Sequence, residues 1–265
     1  MTLQPADNWG IGDAYEPYVG RWSRLVMREV LTWLTPPSNL QWLDAGCGTG
    51  ALSSVILERA AARRVVGVDP ASGFVAYARA QLLDARASFV TADARALPFQ
   101  DRTFDAVIAG LMLNFVPQPL IAAQEMVRVT RPGGVVSVYV WDYAGEMQMM
   151  QRFWGAAAEL DPDVAQLDEG VRFPLCQPEP LSALFRSAGL HSVDVRAIEI
   201  PTHFKDFDDY WLPFLGGQGS APSYVATLGE GQRVRLRERL RSTLPVAPDG
   251  SIDLIARAWA VRGKP

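Results

Sequence analysis

A run of glycines and three carboxylates carry the chemistry in this sequence. Gln41-Trp42-Leu43-Asp44 leads into Gly46-Cys47-Gly48-Thr49-Gly50, where an apolar run gives way to a helical pattern. Glycines at this spacing permit a tight strand-to-helix turn and let a ligand reach bare backbone. The helix beyond offers free N–H groups to an anion. Asp69 closes the next apolar run, Val66-Gly67-Val68-Asp69, about 20 residues past the glycines, the spacing at which a carboxylate accepts hydrogen bonds from ribose hydroxyls. Asp93 follows the third run, in Thr91-Ala92-Asp93-Ala94, and its carboxylate suits an adenine amine. Each acid alone also reads as a strand-end or cap residue. Together they predict a nucleoside ligand.

Gly46-x-Gly48-x-x-Ala51 satisfies the dinucleotide fingerprint as well, so a nicotinamide- or flavin-dependent oxidoreductase is a competitor. Asp44 argues against it, because a pyrophosphate there would meet a like charge. A sulfonium or an ammonium would meet a favourable one.

Positioning these groups requires a regular frame. After Pro17, the residues Val19, Trp22, Leu25, Val26, Val30, Trp33 and Leu34 recur at helical spacing until Pro36-Pro37. Apolar strand-like runs then appear at about 40–44, 64–68, 87–91, 104–110 and 134–141, with helical patterns at about 50–62, 72–84 and 118–130 between them. Pro180 to Ala188 reads as a further helix, and Ser192–Ile200 and Asp253–Val261 as further strands. The expected fold is α/β: a doubly wound, seven-stranded, mostly parallel sheet of Rossmann type, with a helical cap built from insertions. In domain terms, 1–142 is an N-terminal helix plus binding core, 143–177 a cap insertion, 178–203 a core helix and strand, 204–250 a second cap insertion, and 251–265 the final core strand.

The chain has 265 residues, 49% of them hydrophobic and 20% charged, and a formal net charge of −4. That composition belongs to a globular protein and lacks the basic surplus expected of a nucleic-acid binder. No stretch is long and apolar enough for a membrane span, no signal peptide is read at the start, and two cysteines are too few for a disulfide framework. A cytoplasmic protein acting on a small molecule is expected, with neither nucleic acid nor membrane as partner and with its oligomeric state open. Arg233, Arg237 and Arg241 read as the solvated stripe of an amphipathic helix.

Leu43 to Gly50, Asp69, Asp93 with Leu97-Pro98-Phe99, Phe104-Asp105-Ala106-Val107-Ile108 and Arg131-Pro132-Gly133-Gly134 resemble the successive motifs of class I S-adenosylmethionine-dependent methyltransferases. The likeness is to small-molecule enzymes similar to the ubiquinone/menaquinone-biosynthesis C-methyltransferases, and it covers about residues 40–141. Tyr15-Glu16 and Gly20 to Arg24 look like the start of this group's members. The resemblance implies S-adenosyl-L-methionine as cofactor, S-adenosyl-L-homocysteine as product, and an antiparallel last strand. It implies that Gly46 and Gly48 face the methionine part, that Asp69 takes the ribose, and that Asp93 with Ala92 and Ala94 takes the adenine. Gly110 and Leu111 would pass beneath the sulfonium, Tyr15, Tyr18 and Arg21 would close over the carboxylate, and Asp44, Cys47 and Pro70 would complete the cofactor set. No metal is implied.

Methyl transfer from a sulfonium is an in-line displacement, in which positioning alone carries much of the rate. A base is needed only if the acceptor loses a proton as it reacts. His203, expected just after the strand ending at Ile200, is the candidate for that role; His191 is read as surface. The acceptor pocket is expected above the carboxyl ends of the strands, lined by Asn114, Phe115, Trp141, Tyr143, Trp154, Phe173 and Trp211. So many aromatics favour an apolar or aromatic acceptor. The Asn/Asp-Pro-Pro-aromatic signature resembling nucleic-acid amino-methyltransferases is missing; Ala109-Gly110-Leu111-Met112 stands in its place. A non-catalytic adenosylmethionine-binding module remains a rival, and a protein or RNA methyltransferase a weaker one.

Overall fold

The computed structural model describes residues 16–216 and 219–265. In chain order the elements are α1 (Arg21–Leu34), β1 (Gln41–Ala45), α2 (Ala51–Arg59), β2 (Arg64–Asp69), α3 (Ser72–Gln81), β3 (Ala87–Thr91), β4 (Phe104–Gly110), α4 (Pro119–Val129), β5 (Thr130–Trp141), α5 (Gln148–Leu160), α6 (Glu169–Arg172), α7 (Pro178–Ser187), β6 (His191–Phe204), α8 (Phe207–Trp211), α9 (Ser220–Thr227), α10 (Glu230–Thr243) and β7 (Ile252–Lys264). The seven strands form one sheet in the order β3-β2-β1-β4-β5-β7-β6. β1 to β5 pair in parallel, and β7 runs antiparallel to β5.

Burial explains the strands. Val65 to Asp69 of β2 and Ala106 to Ala109 of β4 are buried at every successive position. Such runs suit a parallel sheet covered on both faces, where alternation would expose an apolar side chain. Leu43 sits opposite Val66 on one side and Val107 on the other, and it is fully enclosed. β1 is also where the strand order reverses. Open α/β sheets bind ligands outside the carboxyl ends of the strands at such a switch point.

Three strands run further than the sequence suggests. β7 reaches Lys264, past the expected end at Val261. β5 starts at Thr130, not at 134, because Thr130 pairs with Phe104 before a register shift to the Ala106–Val135 pair. β6 continues past Ile200 to Phe204. There Ile200, Thr202 and Phe204 are buried while Pro201 and His203 are exposed, so the alternation persists through a proline. An edge strand tolerates that proline, since its N–H would face no ladder partner.

The chain separates into two compact units. The sheet unit holds 23–141, 175–198 and 258–265, with its core around Leu43, Ile108 and Val138. The aromatic unit holds 142–174 and 199–257 together with the first helical turns up to Trp22. Its core is a ring cluster: Phe153 stacks on Phe214 at 4.5 Å between centroids, and Tyr18 and Trp154 meet this pair edge-on. No helix among the described residues is long and apolar enough to cross a membrane.

Candidate functional site

The glycine turn leaves β1 at Gly46, and the backbone N–H groups of Gly46 and Cys47 both donate to the Val68 carbonyl of β2. Gly46 and Gly48 take left-handed conformations, at φ +75° and +51°. An ordinary side chain is strained there. The surroundings of the two differ. A Cβ on Gly46 would lie 2.5 Å from Cγ of Met112, whereas a Cβ on Gly48 would meet nothing within 4 Å. Gly48 thus presents bare backbone to open space.

Two carboxylates organise this turn. Asp69 accepts from the Gly48 N–H at 3.0 Å through one oxygen and from the Ala71 N–H at 2.9 Å through the other. Burial raises its pKa against these two hydrogen bonds. Each oxygen retains a lone pair for a further donor. Asp44 is wholly buried; its Oδ2 accepts from the Ser53 hydroxyl at 2.7 Å, and its Oδ1 has no partner among the described residues. Burial pushes Asp44 up to about 7, with Asp69 adding repulsion and Ser53 opposing. A buried carboxylate oxygen without a donor is a costly arrangement that an incoming cation would relieve.

Asp93 lies beyond β3 in a partly exposed setting. Arg95 clasps its carboxylate at 2.6 Å and holds its pKa below the usual range. Ala92 donates to the Asp69 carbonyl, which ties the β3 exit to the β2 exit, and Ala94 is buried. On the other side of the switch point, Leu111 follows β4 at φ +58°, its N–H donating to the Tyr139 carbonyl at 2.8 Å. A branched residue in that region stores strain of about 1–3 kcal/mol, a feature that clusters at functional sites. Residue type gave no hint of that strain; only its place after a strand singled Leu111 out. A Cβ on Gly110 would run into the Tyr139 ring. Asn114 and Phe115 form the short turn that follows, with Asn114 Nδ2 buried and lacking a partner among the described residues. Cys47 is 6% exposed, and burial beside Asp44 and Asp69 pushes its thiol up, away from thiolate chemistry. Pro70 lies between Asp69 and the start of α3.

The remaining candidates divide between the units. Trp141 ends β5 in the sheet unit. Tyr18, Arg21, Tyr143, Trp154, Phe173 and Trp211 belong to the aromatic unit, and Tyr15 lies outside the described residues. Arg21 is held by Asp209 at 2.9 Å and lies over the rings of Trp22 and Phe204. The Tyr18 hydroxyl donates to Sδ of Met150 at 3.0 Å. His203 requires a correction: it lies inside β6 rather than in a loop beyond a strand end. Its side chain is 62% exposed, and its Nδ1 faces Asp253 of β7 at 2.8 Å.

Sequence reasoning missed Glu169. It is 5% exposed in the aromatic unit, its Oε2 accepting from the Trp154 indole N–H at 2.6 Å. Nothing in its sequence context, Leu167-Asp168-Glu169-Gly170, distinguishes it from a solvated helix start. A cavity of about 670 Å³ lies at the opposite edge of the sheet, lined by the start of β4, the start of β5 and the end of β7. It is remote from the glycine turn.

A family profile described as "Methyltransferase domain" matches residues 43–138. A demethylmenaquinone methyltransferase of Roseiflexus castenholzii is 33% identical over 177 residues, covering 62% of this chain and 73% of that protein. The chain belongs to the class I S-adenosylmethionine-dependent methyltransferases. The match to an uncharacterized methyltransferase of Mycobacterium leprae is 29% identical and spans 57% of that relative's length. In fold, the chain is similar to phosphoethanolamine N-methyltransferase 2 of Haemonchus contortus, solved in complex with S-adenosyl-L-methionine. The TM-score is 0.58 at 16% identity, over 96% of this chain and 56% of that one. The matched stretch of the family profile contains the glycine turn, Asp69, Asp93 and the β4 exit.

Proposed function

We propose that this methyltransferase transfers the methyl group of S-adenosylmethionine to a small organic acceptor with an apolar or aromatic body. The observation that carries the cofactor's orientation is the partnerless Oδ1 of buried Asp44 beside the open backbone of Gly48. That pairing suits a ligand that presents positive charge to a carboxylate and lies close against bare backbone. It would set a like charge against a dinucleotide pyrophosphate.

The cofactor supplies an activated methyl group on a sulfonium. The chain's own groups do the holding. Asp69 has lone pairs left for two ribose hydroxyls while it keeps the turn in shape. Asp93, anchored by Arg95, offers an acceptor to an exocyclic amine. Asp44 attracts the cationic end, and the Gly110–Leu111 segment is fixed by the Tyr139 carbonyl. Catalysis then rests on alignment of acceptor and methyl, and no base is assigned to His203. The ring-rich interior of the aromatic unit supports an apolar or aromatic acceptor.

Calorimetry tests the reading. S-adenosylmethionine and S-adenosylhomocysteine are expected to bind, with NAD and NADP giving no comparable heat. Equal or tighter NAD binding would overturn it. Formation of S-adenosylhomocysteine in the presence of candidate acceptors separates an enzyme from a module that only binds.

A further inference from the structure

Glu169 opens the short helix α6 behind Asp168, whose own side chain accepts from the Gly170 N–H. Around it the aromatic unit contributes the Trp154 indole, which donates to Oε2, and Tyr224 against Trp154 at 5.8 Å between centroids. The Tyr18 phenol is deep enough in the same interior that burial raises its pKa, with the charges of Glu169 and Tyr143 adding to the effect. Tyr143 in turn faces Phe173 at 6.0 Å. Among the described residues no arginine or lysine forms an ion pair with the carboxylate, and its one side-chain donor is the neutral indole.

A carboxylate so enclosed is costly when ionised, because two neutral donors, the Trp154 indole and its own backbone N–H, do not replace its hydration. The buried Trp154 indole N–H needs an acceptor here, but a neutral glutamine would supply one without a charge. A carboxylate bonded to an indole edge, in an interior that also holds the Tyr18 and Tyr143 phenols, is instead a composition that suits a cation, by direct charge pairing and by cation–π attraction to neighbouring rings. We propose that Glu169 is the cation anchor of an acceptor-recognition site within the aromatic unit, so that the acceptor carries a positively charged amine or ammonium end. This rests on the methyl-transfer reading above and names the acceptor class for it.

The proposal has a protonic signature. Burial pushes Glu169 up to about 7, with Asp168 raising it further and the Trp154 indole and Arg172 opposing. At neutral pH the free carboxyl is therefore close to half protonated. An arriving cation favours the ionised form, so binding expels the proton.

The test is calorimetry on the full chain preloaded with S-adenosylhomocysteine. It uses choline and its uncharged carbon isostere neohexanol as probes, in two buffers of different ionisation enthalpy. Choline is expected to bind more tightly than neohexanol by roughly tenfold or more. It should release protons at neutral pH, seen as a buffer-dependent heat. Glu169→Gln keeps a partner for the indole N–H and is expected to abolish both the preference and the proton release, with S-adenosylhomocysteine affinity unchanged. The proposal is overturned if choline fails to bind at millimolar concentration, if neohexanol binds as well, if no proton is released, or if Glu169→Gln keeps the preference. Should that variant not fold, the buffer comparison on the native protein decides alone. Loss of S-adenosylhomocysteine binding by the native protein would strike the methyl-transfer reading instead, a separate outcome.

Discussion

Asp44 is the residue whose ionisation a cationic ligand should feel most. Held up to about 7 by burial, it carries only part of its charge in mildly acidic solution. Affinity for S-adenosylhomocysteine, whose amino group is protonated, is expected to rise as pH increases from about 5 to about 8. Asp44→Asn should flatten that dependence, and calorimetry across the range reads both. Asp69 holds the Gly48 N–H and, in the proposed reading, acts a second time through its remaining lone pairs. Each charged hydrogen bond removed costs about 1.5–3 kcal/mol, so Asp69→Ala should weaken S-adenosylhomocysteine by roughly tenfold or more. Retained affinity in a folded variant would confine Asp69 to shaping the turn. For His203 the expectation is the reverse. Its exposure and its pairing with Asp253 leave the imidazole outside the chemistry. His203→Gln should keep turnover within about tenfold, well short of the roughly 10²–10⁴ loss typical when a general base is removed. A hundredfold drop with intact cofactor binding would instead reveal an acceptor that must be deprotonated.

In the proposed reading, the element that decides binding is the turn from β1 into α2. At Gly48 the backbone is left-handed and the space beyond it is open. Gly48→Ala should therefore cost about 1–2 kcal/mol of stability from conformation alone. It should also place a methyl group where the ligand meets the backbone. The expected result is a melting temperature lowered by a few degrees and a much larger loss of S-adenosylhomocysteine affinity. Gly46→Ala separates the two effects. Its Cβ would press on Met112, so its penalty falls on stability rather than on open space. Comparing the two variants by thermal melting and by titration shows whether the open face of the turn is the ligand face. On the far side of the switch point, the strained Leu111 is held by the Tyr139 carbonyl of β5. The two exits flanking the reversal in strand order are thus both tied to carbonyls of neighbouring strands, Val68 of β2 and Tyr139 of β5.

At the scale of the whole molecule, buried acids set the response to pH. Asp44 and Glu169 are both raised to about 7, from ordinary values of 3.8 and 4.5. Between about pH 4 and pH 7 the folded chain holds protons that the unfolded chain has released, so stability falls as pH rises through that window. Asp93, Asp105 and Glu125 are lowered by arginine partners and by backbone donors. Their stabilisation is present at neutral pH and is lost only in stronger acid. The melting temperature is therefore expected to be higher near about pH 5 than near about pH 8. Asp44→Asn should narrow the gap, and differential scanning fluorimetry across a pH series checks it. A melting temperature that climbs steadily to pH 8 would contradict the burial of these acids.

Much of this was legible before any coordinates. The βαβ rhythm, the glycine turn and the acids at successive strand ends follow from local composition: a parallel strand covered on both faces must be a continuous apolar run, and a tight turn needs residues without a Cβ. The start of β5 and the end of β6 were not legible. Thr130 joins the sheet only through Phe104, and Pro201 stays in a strand because it lies on an edge. Both depend on neighbours distant in sequence. The same holds for side-chain chemistry. Asp44 and Asp93 read alike as strand-end carboxylates. Folding buries one with only the Ser53 hydroxyl as donor and leaves the other clasped by Arg95, so their pKa values move in opposite directions. Glu169 shows the limit most plainly. Its neighbours in sequence are those of a surface helix start, and only the rings brought round it from α5 and the first helical turn make it a buried charge. Sequence spacing determines which backbone can form. Burial, which sets the energy of a charge, is a property of the packed whole.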